Sequence, residues 1–366
     1  MLAPTDPLWT WMLRTAPHDF YLLPGYVALA ARFDGGEPVA ILVEDGPRRL
    51  LMPLLLRDVP AALGGPLLRD ATSPYGYPGI TVSSTEPDAP ADAAFTRDAV
   101  AAAIVVLQEA GLISLFLRLN ALLPVDHQVL GDFGLLVSHG NTVSIDLFRD
   151  EASLFRDLRD AHRRHIARLD RLGFTYQIDP ICGPESITGF LQVYTETMDR
   201  LGASSSYYFD ADYIRELNAA LDGRMVIVLV RQEGVVAAAA LFTEVDGIVQ
   251  YHLGGTGGEF MKLSPIKGIF SVTAYWAKSR GNRIMHLGGG LGGSEDALFN
   301  FKAGFSPKRH MFQTARIVID RPAYDDLTAR WEARYSASVP EPTVFFPGYR
   351  APEPTSGTPE PVAVDV

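Results

Sequence analysis

The chain is poor in the features that would assign a function quickly. A single cysteine, Cys182, excludes an internal disulfide framework and any cysteine-rich metal site. It sits in the turn-forming stretch Asp-Pro-Ile-Cys-Gly-Pro-Glu, where an ordinary free thiol is the expected reading. Apolar runs such as Ala101–Leu107 fall far short of the ~18 residues of a membrane span. No charged leader precedes a long apolar run at the N-terminus, so no secretory signal is expected and a cytoplasmic location is the default. Positive charge is scarce: 32 Lys and Arg stand against 43 Asp and Glu, a net charge of -11, with a pI near 5.2. That balance argues against DNA and against broad nucleic-acid binding, which needs many phosphate-neutralising cations, but leaves room for a local basic strip. Walker loops, G-x-S-x-G elbows, H-E-x-x-H motifs and Cys/His pairs are also missing, so covalent catalysis is not indicated.

What is present is an ordinary globular composition, 47% hydrophobic and 20% charged, at a length of 366 residues that suggests two cores. In the first half, two short helices (Pro7–Ala16, Pro24–Phe33) precede a hairpin, Pro38–Val43 and Arg48–Leu56, turning at Glu44-Asp45-Gly46-Pro47. Gly64–Gly79 reads as an irregular strand and loop. An alanine-rich helix (Ala91–Ala110), a strand (Leu112–Leu119) and a strand pair or bent strand (Leu135–Leu147) follow. Asp150–Leu172 reads as one long helix, with Leu154, Leu158, Ala161, Ile166, Leu169 and Leu172 on one side and most of its arginines on the other.

The second half is more regular. A strand (Phe174–Ile178) leads to helices at Glu185–Leu201 and Ala211–Leu221. Three strands follow (Met225–Arg231, Val235–Glu244, Ile248–Leu253), with turns at Glu233-Gly234 and Asp246-Gly247. A helix (Pro265–Ser279), a strand (Arg283–Leu287), a short helix (Asp296–Ala303), a strand (His310–Asp320) and a helix (Ala323–Tyr335) complete the order. From Arg350 the Pro-, Ser- and Glu-rich composition predicts a disordered tail, residues 350–366.

Three motifs carry a resemblance. Leu287-Gly288-Gly289-Gly290 followed by Leu298-Phe299-Asn300-Phe301-Lys302-Ala303-Gly304-Phe305 is the most specific. Tyr251-His252-Leu253-Gly254-Gly255-Thr256 with Leu263-Ser264-Pro265 forms a strand–loop–helix junction, and Asp70-Ala71-Thr72-Ser73-Pro74-Tyr75-Gly76-Tyr77 is a loop in the first half. Together they resemble the FemABX-type transferases of the GNAT superfamily over most of Met1–Asp320. The resemblance implies an α/β (α+β) fold of two tandem GNAT-like domains, each a mixed, mostly antiparallel sheet flanked by helices. The expected boundaries are 1–148, with 321–349 as a candidate completion, and 149–320 as the catalytic domain.

Physical chemistry assigns the candidate roles. An amine attacking an ester or thioester builds negative charge on the carbonyl oxygen, and a fixed cation there lowers the barrier, often by ~3–4 kcal/mol. The resemblance puts Phe301 and Lys302 in that role; the alternative is a surface lysine beside a core phenylalanine. Tyr251 and His252 end the central strand, with side chains on opposite faces. His252 is a candidate general base or a satisfied core histidine, and Tyr251 a hydrogen-bonding group. Asp70, Tyr75 and Tyr77 are expected to line an acceptor cleft, or to be loop packing. Gly254, Gly255 and Thr256 open a loop whose amides could hold an anion, although the basic first residue and spacing of a coenzyme A loop are missing. Arg200 and Tyr207 are acceptor-binding candidates in a small, hydroxylated stretch.

The six arginines between Glu151 and Gly173 face four acids and read as a solvated helix side, or as a grip on phosphates. His162 and His165 lack acidic or cysteine companions, so no metal is expected. The expected activity is an N-acyltransferase moving an aminoacyl or related acyl group to a small-molecule or precursor amine. Aminoacyl-tRNA is the first donor, which makes tRNA a candidate partner; acyl-CoA is the second, and no cofactor is tightly bound. A non-catalytic GNAT-like binding module is the reading from another class.

Overall fold

The computed structural model describes residues 1–354; the part of the expected tail from 355 onward lies outside them. In chain order the elements are α1 (Pro7–Leu13), α2 (Pro24–Asp34), β1 (Glu37–Asp45), β2 (Arg48–Asp58), β3 (Arg69–Thr72), β4 (Thr81–Ser84), α3 (Ala93–Glu109), β5 (Leu112–Arg118) and β6 (Leu135–Asp146). Then come α4 (Glu151–Asp157), α5 (Asp160–Arg171), β7 (Thr175–Asp179), α6 (Pro184–Leu201), α7 (Ala211–Ala220), β8 (Met225–Gln232), β9 (Val235–Val245), β10 (Ile248–Thr256), α8 (Ile266–Ser279), β11 (Ile284–Gly288), α9 (Ala297–Lys302), β12 (Arg309–Val318) and α10 (Arg321–Tyr335). The described residues form two compact units: Met1–His139 with Phe312–Pro354, and Gly140–Met311.

In the first unit the strands run β1-β2-β3-β5-β12, with β4 on β2. All pairs are antiparallel except β3 with β5. The run Leu50–Leu56 of β2 is buried without alternation, because helices cover both its faces: α3 meets β1, β2 and β5, while α1 and α2 also contact β2. Asp92 caps α3 through the Phe95 amide at 2.9 Å, and the helix buries Phe95, Ala99, Val100, Ala103 and Leu107. α10 packs Leu327 and Trp331 on Ile113, Phe346 and Tyr349.

The expected tail starts too early. Arg350 pairs with Asp70, Ala351 is buried, and its carbonyl accepts from Trp331 Nε1 at 3.2 Å. Proline-rich composition hid this docking, since the ion pair and the hydrogen bond that hold Arg350 and Ala351 come from distant residues.

In the second unit the order is β6-β11-β10-β9-β8-β7, antiparallel throughout except for β10 with β11. Alternation divides the strands between two helices. Val226, Val228 and Val230 of β8 join the cluster built around Ile269, Phe270 and Ala274 of α8. Gly189 of α6 faces Leu229 and Val236 instead. Ala237–Ala240 keep β9 thin, so that both helices approach closely.

The long helix expected over Asp150–Leu172 is two helices. Leu158 is extended (ψ 136°), as is Arg159 (ψ 147°), and the Arg159 amide donates to Gly304 O at 2.8 Å. A tertiary partner for that one amide outweighs continuation of the helix, which periodicity cannot reveal. Of the basic face, Arg163 is spent on Asp160 and on the Arg156 carbonyl, and Arg171 on Ala167 O.

Asp19 is a fully buried carboxyl in the first unit. Burial drives its carboxyl up from 3.8 to about 7, against the hydrogen bond from the Phe20 amide. A raised acid favours folding when protonated, so this stability is complete below pH 3.8 and is lost as pH rises to about 7. Asp19→Asn keeps an acceptor for the Phe20 amide. It should raise stability at pH 8 by up to about 4 kcal/mol and leave it unchanged at pH 3.5, read by denaturant melts at both pH values.

Candidate active site

The site in the second unit begins with a sheet that comes apart. β10 and β11 pair only over Ile248–Gln250 and Ile284–His286, although β10 continues to Thr256 and β11 to Gly288. Immediately past the last shared rung each strand is irregular. His252 is an extra residue in β10 against β9, and the β11–β6 register shifts between His286 and Gly288. Bulges bend strands and interrupt their ladders, so two parallel neighbours diverge and leave main-chain groups facing a gap.

Lys302 reaches that gap. Its side chain is only 2% exposed, and its ammonium donates to Gly289 O at 2.7 Å and lies 5.6 Å from the Tyr251 ring centroid. Asp296 is what aims it. One carboxylate oxygen accepts from the Phe299 amide at 2.9 Å and caps α9; the other accepts from the Leu291 amide at 3.0 Å and folds the glycine loop back. Gly290 is required for this turn, since a Cβ there would lie 2.3 Å from Asp296 Oδ1. Asp296 was missed as a positioning residue because sequence shows only an N-cap.

Phe301 is half-buried between Phe270 (5.8 Å), Phe305 (5.6 Å) and His162 (5.6 Å). Its carbonyl accepts from His162 Nε2 at 3.0 Å. The ring of His162 occupies the space a side chain at 304 would need, with a Cβ only 2.4 Å from Nε2, so Gly304 is a packing glycine. Lys267, at the start of α8, is buried with its ammonium 3.4 Å from His165 Nδ1, and burial lowers its pKa.

Tyr251 is half-buried, edge-on to Phe270 at 4.8 Å, and burial raises its phenol pKa well above the usual value. His252 is buried and its pKa is pushed down to about 4 by desolvation, so it is a neutral imidazole and a weak base at pH 7. Gly254, Gly255 and Thr256, expected to open an anion-holding loop, lie at the end of β10. Gly254 makes room for the Tyr251 hydroxyl, and Gly255 lies against the backbone of α6, 2.4 Å from Val193 O to a virtual Cβ.

The amides along this segment are already spent. Thr256 N donates to Thr197 Oγ1 (3.0 Å), Gly257 N to Ala237 O (3.0 Å) and Gly258 N to the Glu196 carboxylate (2.6 Å). At the head of α8 the Lys267 and Gly268 amides turn back to Ser264 O and Pro265 O.

Other expected residues are also engaged in structure. Arg200 bonds Thr197 Oγ1 (3.1 Å) and Thr256 O (3.3 Å). Tyr207 is half-buried and its carbonyl accepts from the Tyr194 hydroxyl at 2.9 Å. In the first unit, Asp70 is wholly buried in a network with Arg57 (2.9 Å), Arg350 and the Tyr349 hydroxyl (3.1 Å), which Ser114 extends. It is the centre of an internal clamp. Tyr77 is buried edge-on to Tyr21 and Phe312. Tyr75 is half-buried, and Gly76 at φ 92° admits the Tyr21 ring instead of opening the loop. Among the described residues no three His, Cys, Asp or Glu side chains are grouped to hold a metal, and no helix is long and apolar enough to cross a membrane.

Helices on both faces of a sheet that splits between two central parallel strands define a GNAT-type acyltransferase domain, and residues 156–302 match the family model for an acetyltransferase (GNAT) domain. The fold of the chain is FemABX-like and of the GNAT type. It is similar to FemX, with a TM-score of 0.66 at 14% identity over 88% of this chain and 98% of that one. L-PGS from Bacillus licheniformis gives 0.54 at 16% identity, over 87% and 94%. The C-terminal domain of an assigned lysylphosphatidylglycerol synthetase from Agrobacterium fabrum gives 0.54 at 15%, over 88% and 93%. No curated protein matches by sequence.

The packing role of the glycine run makes a direct prediction. Gly255→Ala forces a methyl into the α6 backbone and should lower stability by ~3 kcal/mol, within the range of severe overpacking, measured by thermal or denaturant melts. A value near zero would show that this glycine is free to serve a ligand instead.

Proposed function

We propose that the protein is an N-acyltransferase that moves an aminoacyl or related acyl group from aminoacyl-tRNA to an amine of a small-molecule or precursor acceptor. The observation that carries the chemistry is the buried Lys302 ammonium at the mouth of the β10–β11 split. In the reaction the amine nitrogen attacks the ester carbon, a C–N bond forms and the carbonyl oxygen takes the electron pair. Collapse then expels the ribose hydroxyl, which takes up the proton the amine loses. A cation held by Asp296 and α9 needs no reorganisation to meet that oxygen.

The choice of donor rests on the glycine segment. Coenzyme A needs free amides for its pyrophosphate, but here Thr256, Gly257 and Gly258 are bonded internally, and the Glu196 carboxylate sits where an anion would be repelled. The likeness to FemX, and to a protein whose name joins a lysyl group to a lipid headgroup, supports an aminoacyl ester as donor. Arg200, engaged with Thr256 O, is poorly placed for a pyrophosphate-bearing acceptor and favours a small amine. Acyl-CoA is the second reading, favoured by the acetyltransferase description of the matching domain.

The deciding experiment offers purified protein a set of charged tRNAs and a set of acyl-CoA thioesters, each with a panel of amines, and follows amide products by mass spectrometry. Amide formed only with charged tRNA is expected; release of free coenzyme A without tRNA would reverse the ranking. Lys302→Met should lower kcat by about 10²–10³-fold with the fold retained by circular dichroism. Unchanged turnover would remove Lys302 from the chemistry, and partner binding without any turnover would favour a non-catalytic module.

A further inference from the structure

One face of the first unit's sheet changes character along its length. Side chains directly opposite each other in β5 and β12 share a face, and the register pairs Ser114 with Val318, Phe116 with Arg316 and Arg118 with Thr314. At the Ser114 end the face is apolar and covered, because Val318 and Phe116 pack with Tyr324, Leu327 and Trp331 of α10. At the other end it is cationic. Arg118 and Arg316 both lie over the Phe116 ring, their guanidinium carbons 5.1 and 5.9 Å from its centroid. Thr314 ties the group together: its Oγ1 is 2.9 Å from His139 Nε2 and accepts from Arg316 Nε at 3.4 Å.

Charge at this end is met by neutral oxygens. Arg316 is 5% exposed, yet its acceptors are the Thr314 hydroxyl and the Pro342 carbonyl. A guanidinium has five N–H donors, and burying one without a carboxylate is costly. The acids of this face are engaged elsewhere. Asp70 pairs with Arg57 and Arg350. Asp34, at the end of α2, accepts from the Tyr75 amide, and among the described residues it forms no ion pair with Arg118 or Arg57. Arg118 and His139 are half-buried. Burial, then Arg316 and Arg118, lower the His139 pKa, so the ring is a neutral imidazole at pH 7.

We propose that Arg118, Arg316, His139 and Thr314 form an oxyanion-binding subsite in the first unit, for a phosphate or carboxylate group of a small ligand. The two guanidiniums supply charge and forked donors, which suit either group. Thr314 and His139 add neutral hydrogen bonds, and Phe116 is a flat floor that holds both arginines in place. The subsite is independent of the Lys302 reading and holds whichever acyl donor the protein uses.

The test is calorimetric titration of the full-length protein at low ionic strength with inorganic phosphate and, separately, with glutarate. One site is expected for at least one of the two anions, with affinity falling as salt is added and a matching rise in melting temperature. Tighter binding of phosphate assigns the subsite to a phosphorylated ligand, and tighter binding of glutarate to a carboxylate-bearing one. Arg118→Gln should weaken binding about tenfold or more. Arg164→Gln removes the same charge from α5 and should leave the affinity unchanged. Silence with both anions overturns the proposal, as does equal weakening by the two arginine variants. If Arg118→Gln does not fold, His139→Gln carries the decision, since glutamine can keep a hydrogen bond to Thr314. It should weaken binding about threefold or more, and an unchanged affinity there sinks the subsite.

Discussion

The second unit depends on a sheet that stops pairing before its strands end. Parallel strands normally satisfy each other's amides and carbonyls, and a buried main-chain carbonyl without a partner costs as much as a lost hydrogen bond. At the β10–β11 split the Tyr251 carbonyl is answered by the Gln250 amide, and the Gly289 carbonyl by the Lys302 ammonium. The side chains that allow the sheet to open are thus the same ones that furnish its mouth with polar and charged groups. Bulging of both strands just past the last rung gives the opening its shape.

Holding a lysine in that place requires support from further away. A buried ammonium is expensive unless its geometry is well determined. Asp296 supplies this by bonding to both the loop before α9 and the first turn of the helix, while the His162 ring packs against Gly304 on the far side. The break between α4 and α5 belongs to the same arrangement, because the amide freed at Arg159 bonds Gly304 O. The arginine-bearing helix is tied to the lysine-bearing one through this main-chain bond and through Arg159 and His162, whose side chains donate to Asn300 O and Phe301 O.

Glycines in this protein mark packing more often than ligand binding. Gly255 admits the α6 backbone, Gly254 the Tyr251 hydroxyl, Gly76 the Tyr21 ring and Gly304 the His162 ring. A run such as Gly254-Gly255-Thr256-Gly257-Gly258 therefore looks like an anion loop in one dimension and is a close-packed strand end in three. Asp70 shows the same ambiguity for a charged residue. In a Tyr- and Gly-rich loop it suggested a binding group, whereas Arg57, Arg350 and Tyr349, drawn from distant parts of the chain, make it an internal clamp.

Element order, the α/β class and the strand-and-helix succession of the second half were legible from sequence, because alternation and helical periodicity are local and survive without tertiary information. Phe301 and Lys302 stand between a glycine loop and a glycine turn, which is itself a local pattern. The helix break at Leu158–Arg159, the docking of Arg350 and Ala351, the sealing of the glycine run by Glu196 and the pairing of Gln250 with His286 were not legible. Each depends on atoms that residues tens to hundreds of positions apart bring within hydrogen-bonding distance, and such contacts leave no periodic trace in the chain.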